Sequence, residues 1–195
     1  MATGEGSAKD AIRDAAIELF GRYGPGSVSL RAVAARAGVS QPLIIKHYGS
    51  RENLETAVDE HVLDLLRRAL EPLLSGEEVP ERSISDLLTS TPAVRYFAHL
   101  LISGGPRADR AFASLHRFST ALVDRLDRAG MVAEGTDREH LATVLLVHDL
   151  SVALMRDRIT AVLGEDPLGE AGLSRWRDLV GRLYTGTVLG PDRTA

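Results

Sequence analysis

Apolar residues near the start of the chain recur every three or four positions, which is the period of an amphipathic helix. The stripe comprises Ile12, Ala15, Ala16, Leu19, Phe20 and Tyr23. Gly24-Pro25-Gly26 predicts the end of this helix. Two short segments follow at about residues 30–37 and 41–48, each preceded by a serine that can cap a helix, with Gly38 between them. Two short helices joined by a tight glycine turn predict a helix-turn-helix, whose second helix fits the major groove of DNA.

The same spacing predicts helices along the rest of the chain. Their ranges are about 50–74, 92–103, 107–129, 137–163 and a last helix that ends around Val188; Ser83 with Asp86 resembles a weak capping box, and Thr136 with Glu139 a proper one. Aromatic residues are few, which disfavours sheets, while 44% hydrophobic residues can fill a core. We expect an all-α fold of about nine helices, with a three-helix head over residues 1–51 and a helical body over residues 52–195.

The charge is divided unevenly between these two parts. Residues 1–51 hold seven cations and four acids, a net charge of +3, whereas the remaining residues hold 16 cations and 23 acids, a net charge of −7. No residue from Leu19 to Arg51 is acidic, and five are cationic. A polyanion can therefore approach the head without meeting a carboxylate, which favours a nucleic-acid partner despite the overall charge of −4.

Composition and motifs disfavour several other classes of protein. Cysteine is absent, and the longest stretch without Asp, Glu, Lys or Arg, Tyr96 to Pro106, is too short to span a bilayer. The amino-terminal residues lack the apolar run of a signal peptide. We expect a cytoplasmic protein without a membrane partner, cofactor or metal. An enzyme is disfavoured because a phosphate-binding glycine loop and a nucleophile elbow are missing, and Asp137-x-x-His140 is a single pair with metal-ligand spacing.

Residues 29–54, SLRAVAARAGVSQPLIIKHYGSRENL, resemble the TetR (tetracycline-repressor) family of bacterial transcription regulators. The resemblance covers about residues 8–60 and includes an AGVS turn and a Ser-Arg-Glu-Asn-Leu entry into the fourth helix, where the family has Ser-Lys-Glu-x-Leu. Ile45 stands where the family usually has a tyrosine whose hydroxyl reaches a phosphate, Tyr48 replaces a phenylalanine, and Arg51 replaces a lysine. The resemblance implies a regulator, by default a repressor, that binds double-stranded DNA.

Ten residues of the head are predicted to contact DNA. They are Ser29, Arg31, Ser40, Gln41, Pro42, Leu43, Ile45, Lys46, His47 and Arg51. Gln41 can pair with adenine, and Lys46 and Arg31 can reach phosphates or base edges. The serines, His47 and Arg51 suit phosphate oxygens, whereas the apolar members can meet thymine methyl groups. Ile44 is expected to face inward against the first helix. The alternative for each of these residues is ordinary solvation or packing.

The body is expected to bind a small molecule and a second copy of the chain. One small head makes few base contacts, so a two-fold dimer that reads two half-sites is predicted, with the last two helices as its interface. Six residues are candidates for ligand binding: Tyr96, His99, Phe112, His116, His148 and Asp149. A core in which these polar groups satisfy each other is the alternative. Asp149 is expected either to pair with an Arg or His, in the same chain or across the dimer, or to orient a cationic ligand. A TetR-like fold that binds ligands or partners without DNA is a further alternative, which Ile45 motivates.

Overall fold

The three short elements of the head are held by local signals in the sequence. In the computed structural model, which describes residues 3–75 and 92–184, α1 (Thr3–Tyr23) leads through a 3-10 turn (Pro25–Ser27) to α2 (Leu30–Ala37) and α3 (Gln41–Tyr48). Ser29 Oγ accepts a hydrogen bond of 3.1 Å from the amide of Ala32 and caps α2. Gly38 ends α2 at φ 68°, a left-handed conformation that glycine adopts without steric cost. The predicted helix-turn-helix is confirmed.

The body continues with five helices. These are α4 (Arg51–Ser75), α5 (Pro92–Ser103), α6 (Gly105–Arg128), α7 (Arg138–Leu163) and α8 (Glu170–Tyr184). The described ranges thus contain eight α-helices and no strand, which confirms the all-α fold and comes close to the predicted number of about nine. The predicted capping box at Ser83 and the predicted end at Val188 lie outside the described residues. Within the described helices, none combines the length and the apolar character that crossing a bilayer requires.

Two helix starts differ from the prediction. Only Gly104, at φ 67°, separates α5 from α6, and α6 begins at Gly105 because Pro106 fits a first turn, where its missing N–H is not needed. Asp137, not Thr136, caps α7: its Oδ1 accepts hydrogen bonds of 3.1 Å from the amides of Glu139 and His140. Thr136 Oγ1 instead donates to the carbonyl of Ala133 at 2.7 Å. The carboxylate is the stronger cap because it also faces the positive end of the helix dipole.

Head and body share one hydrophobic core. Buried side chains of α1, α2 and α3 form a single cluster with side chains of α4 to α7. The rings of Phe20 in α1 and Tyr96 in α5 lie 6.0 Å apart between centroids. At Gly21 the backbones themselves meet, since a Cβ atom there would lie 2.3 Å from the carbonyl oxygen of Pro92. Because the two helices are in such close contact, a displacement of α5 acts directly on α1.

Candidate nucleic-acid interface and internal cavity

The α2–α3 face, formed by residues 29–31 and 40–47, carries most of the predicted DNA contacts on the surface. Ser29, Arg31, Ser40, Gln41, Pro42, Ile45 and Lys46 are exposed, and Leu43 and His47 are half-buried. Ile44 is fully buried, as predicted. Nine of the ten predicted residues are therefore at least partly accessible on α2, on α3 or at the residue before each helix.

Buried contacts fix the orientation of α3 against the rest of the head. The ring of Tyr48 is buried, and its hydroxyl donates a hydrogen bond of 2.8 Å to the carbonyl of Lys9 in α1. Asn53 Nδ2 donates to the carbonyl of Tyr48 at 2.9 Å. Burial raises the pKa of the Tyr48 hydroxyl, which keeps it protonated as the donor. Tyrosine in place of phenylalanine thus adds a tie between α3 and α1 that a phenylalanine cannot make.

The two arginines of α2 differ in their partners. Arg36 forms an ion pair with Glu18 of α1. Arg31 is exposed, and among the described residues no carboxylate pairs with it. The charge of Arg31 is therefore left for a partner outside the head, whereas that of Arg36 is partly compensated.

Arg51 departs from its predicted role as a phosphate contact. Its guanidinium donates to the carbonyls of Val28 at 2.7 Å and Pro25 at 2.5 Å, and its Nε donates to Glu55 at 2.9 Å. These bonds tie the start of α4 to the loop before α2. Because the planar guanidinium is already engaged on both edges within the chain, Arg51 positions the head and is corrected from a DNA contact to a structural residue.

A buried polar cluster, here called the Arg107 network, joins α4 to α5 and α6. Arg107 Nε and Nη2 donate to the two carboxylate oxygens of Asp59 at 2.7 and 2.9 Å, and Nη1 pairs with Glu55. Nη2 also donates to the hydroxyl of Tyr96 at 2.7 Å, and that hydroxyl donates to Asp59. Hydrogen bonding to Asp59 raises the pKa of Arg107, and burial raises that of Tyr96. Since Glu55 also accepts from Arg51, a continuous chain of polar contacts leads from the head to α6.

The body contains a cavity of about 410 Å³ between α4, α5, α6, α7 and α8. Its lining is almost entirely apolar and includes the aromatic rings of Phe97, Phe118 and Trp176. Asp149 and His148 also line it, and His148 Nδ1 lies 3.5 Å from Asp149 Oδ1. At this distance the predicted pairing of Asp149 with a histidine is a long contact and not an ordinary hydrogen bond. A largely apolar cavity of this size with a few polar groups is typical of a small-molecule site.

Four of the six predicted ligand residues lie outside this cavity. Tyr96 is fully buried in the Arg107 network, and His99 lies against Gly24 at the junction of α1 and α5. Phe112 stacks on His116, whose Nε2 lies 2.9 Å from Thr143 Oγ1. The hydrogen bonds of Tyr96 and His116 favour the alternative of a satisfied core for those two residues. His148 and Asp149 remain candidates.

Most of the cavity residues that were missed on α5 and α6 lie within three positions of those that were chosen. On α5 the cavity is lined by Val94, Phe97, Ala98 and Leu101, and on α6 by Leu115, Phe118, Ser119 and Leu122. Both sets follow the three-and-four spacing of a helix face. Tyr96 and His99 follow the same spacing, so the sequence pattern alone does not decide which face lines the cavity. Trp176 adds an indole Nε1–H that is buried and has no acceptor among the residues described.

The single pair with metal-ligand spacing does not form part of a metal site. His140 Nδ1 lies 2.8 Å from Asp137 Oδ2, next to the hydrogen bonds that cap α7. In the described parts of the chain, no group of three or more His, Cys, Asp or Glu side chains is placed to hold a metal ion. The pair is an element of the helix cap.

Comparisons of the sequence point to DNA-binding regulators. Residues 12–58 match the family model described as bacterial regulatory proteins, tetR family. The HTH-type transcriptional regulatory protein RaaS of Mycobacterium tuberculosis (strain ATCC 25618 / H37Rv) is 32% identical over 149 residues, which cover 75% of this chain and 70% of that protein. The HTH-type transcriptional repressor Rv3405c of the same strain is 39% identical over 70 residues, 36% of this chain and 37% of that protein.

Solved structures share the fold at low sequence identity. GusR of Salmonella enterica superimposes with a TM-score of 0.69 at 16% identity, covering 96% of this chain and 98% of that one. SmeT, the repressor of the Stenotrophomonas maltophilia multidrug efflux pump SmeDEF, gives a TM-score of 0.63 at 19% identity and covers 86% of each chain. The head and the body are thus both part of a known architecture.

Proposed function

Because the chain belongs to the TetR family of bacterial regulatory proteins, we propose that it is a dimeric transcriptional repressor that binds a palindromic operator and is released by a small molecule. The observation that carries the proposal is the α2–α3 face, which is exposed, free of acidic residues and mounted on a rigid helix-turn-helix. Repression is also the activity in the printed name of Rv3405c, with which part of this chain is 39% identical.

The chemistry of the α2–α3 face suits both parts of a DNA site. Arg31 and Lys46 place positive charge where phosphates would approach, and Ser29 and Ser40 can donate hydroxyl hydrogens to phosphate oxygens. Gln41, at the start of α3, presents an amide that matches the donor and acceptor of adenine in the major groove. Ile45, exposed on the same helix, offers apolar surface to a thymine methyl group.

An apolar stripe on the outer face of α7, here called the α7 stripe, supports the dimer. It consists of Val144, Val147, Met155 and Val162, all exposed, and Leu179 and Leu183 of α8 are exposed as well. The stripe repeats at the spacing of one helix face, and Val162 is 84% exposed in the single chain. An exposed apolar surface of this kind favours burial against a second copy. Such a two-fold dimer would present two heads to half-sites roughly 34–36 Å apart.

The cavity and the Arg107 network give a route from ligand to DNA. α4 lines the cavity with Leu66 and Leu70, and its first turns carry Arg51 and Glu55 next to the head. A ligand that changes the packing around α4 and α6 would therefore shift the head through these contacts. If the ligand prefers the displaced arrangement by a few kcal/mol, DNA occupancy falls by orders of magnitude, and DNA weakens ligand binding equally.

The test is binding of the protein to the DNA upstream of its own gene, followed by a matched pair of variants. Arg31→Ala removes the arginine that lacks a carboxylate partner, whereas Arg36→Ala removes the one paired with Glu18. We expect Arg31→Ala to weaken binding by about tenfold, roughly 1.4 kcal/mol, and to flatten the salt dependence by about one ion. The effect of Arg36→Ala is expected to be smaller. Fluorescence anisotropy at several salt concentrations measures both.

Two outcomes would count against the proposal. Equal binding by both variants would show that the α2–α3 face is misassigned. Failure of the wild-type protein to bind upstream fragments or genome-wide selected fragments at low salt would favour a TetR-like fold that binds ligands without DNA.

A further inference from the structure

The described lining of the cavity carries a negative charge and no lysine or arginine. Of the 21 residues that line it, all of them in the described helices and the loop before α8, Asp149 is the one with a formal charge, and neither Lys nor Arg is among them. His148 is the one other titratable group in the lining. The part of the lining that the structure describes therefore offers a carboxylate to a ligand and no lysine or arginine.

The surroundings of Asp149 indicate that its carboxylate faces the cavity. As much as 82% of its side-chain surface is accessible in the single chain, although α7 places it in line with the buried Ala142, Leu146 and Val152. Surrounding protein nevertheless desolvates the carboxyl and raises its pKa, an effect that the neighbouring His148 opposes. The accessible carboxylate therefore belongs to the lining of a cavity whose other walls are almost entirely apolar, and the nearby protein lowers its solvation.

A carboxylate in apolar surroundings is costly unless a positive charge accompanies it. At 3.5 Å, His148 is beyond ordinary hydrogen-bond length and is cationic only when protonated. A ligand with its own positive charge would neutralise Asp149 permanently. Aromatic rings attract such cations as well, and Phe97, Phe118 and Trp176 line the same space. An anionic ligand would meet the carboxylate without a compensating lysine or arginine from the described lining.

We propose that the effector is an apolar organic cation, whose positive centre lies at Asp149 and whose body lies among Phe97, Phe118 and Trp176. This inference rests on the proposed function in taking the cavity as the effector site, and it adds the chemical class of the effector. The volume of about 410 Å³ suits a molecule of drug size.

The test uses two pairs of probes that are matched in size and opposite in charge. Tetraphenylphosphonium is compared with tetraphenylborate, and decyltrimethylammonium with decanoate below their micelle concentrations. Binding is followed by calorimetry and by the fluorescence of Trp176, which is the single tryptophan of the chain and lines the cavity. We expect at least one cation to bind at least tenfold more tightly than its anionic counterpart and to change the tryptophan emission.

Two variants connect the preference to one carboxylate. Asp149→Asn keeps the shape of the side chain and should weaken binding of the cation about tenfold while leaving the anion unchanged or tighter. Asp157→Asn, which changes an exposed aspartate of the same helix, should leave both unchanged. Equal binding of the two charges, binding of anions alone, absence of binding by either cation, or equal cation affinity in Asp149→Asn would each overturn the inference.

Measuring DNA release in the same samples separates this inference from the proposed function. Cations that bind through Asp149 without releasing DNA would support the assigned ligand class and contradict release by a ligand in this cavity. Release of DNA by a neutral or anionic molecule, with no response to the cations, would overturn the ligand class and leave the regulator intact.

Discussion

The head and the body differ in how far their polar and apolar side chains find partners within the chain. In the head, Tyr48 and Arg51 donate to backbone carbonyls of neighbouring elements, and Asn53 of α4 donates to the carbonyl of Tyr48. The body instead leaves the α7 stripe uncovered and a carboxylate in an apolar cavity. Rigid internal bonding suits a surface that must match a fixed duplex, whereas unsatisfied surface and space suit a part that acquires partners. The head thus forms its DNA-binding surface from contacts within the chain, whereas the body has surface and space that a second copy and a ligand would cover.

The largest expected effect comes from charging the α7 stripe. Val144→Glu combined with Val147→Glu places two carboxylates where burial against a second copy is proposed. We expect a monomer, because desolvating these charges would outweigh the apolar contacts. Loss of the second head should then lower operator affinity by at least about a hundredfold. Light scattering reports the mass and fluorescence anisotropy reports the DNA affinity.

The matched control charges exposed apolar residues that lie away from the α7 stripe. Ile102→Glu in α5 and Met131→Glu in the loop before α7 change side chains that are equally uncovered in the single chain. Both should stay dimeric and bind DNA normally. If the double variant of the α7 stripe stays dimeric, the stripe is not the dimer interface. If it is a monomer that binds DNA as well as wild type, the body does not need a second copy for DNA binding.

A second, smaller effect is expected at the join between the two parts. Arg107→Met leaves Asp59 and Glu55 without their shared cation in a largely buried place, which should lower the free energy of unfolding by about 3 kcal/mol. Arg110→Met changes an exposed arginine of the same helix and should alter the free energy of unfolding by less than about 0.5 kcal/mol. Urea unfolding measures both. Equal values would mean that the Arg107 network does not help to hold α4 against α5 and α6.

The sequence predicts the head better than the body for a physical reason. The stripe of α1, the cap at Ser29 and the turn at Gly38 are local signals, and each specifies its own piece of structure. In α5, by contrast, Val94, Tyr96, Phe97 and Leu100 are all buried, so periodicity shows an apolar helix without showing which side faces a cavity. That choice depends on how α5 packs against α1, α4 and α6, which are distant in sequence.

The misassigned arginine illustrates the same limit inside the head. Arg51 is cationic, adjacent to the reading helix and part of the family-like motif, so a phosphate contact was a sound expectation. Its actual acceptors, the carbonyls of Pro25 and Val28, lie more than 20 residues earlier in the chain. Backbone carbonyls carry no signature in the sequence, and only the folded arrangement brings them to the guanidinium.

The smallest expected effect separates folding from DNA binding within the head itself. Ser29 and Ser40 occupy the same cap position of successive helices, yet Ser29 Oγ accepts from the amide of Ala32 and Ser40 makes no side-chain cap. Ser29→Ala should therefore lower the free energy of unfolding by about 1 kcal/mol, and Ser40→Ala by no more than a few tenths.

If the hydroxyl of Ser40 donates a hydrogen bond to a phosphate, Ser40→Ala should instead weaken DNA binding by about fivefold, roughly 1 kcal/mol. Urea unfolding and anisotropy on the same samples give both quantities. Should Ser40→Ala destabilise the fold as much as Ser29→Ala, its hydroxyl is committed to the helix, and the α2–α3 face has one fewer group to offer to DNA.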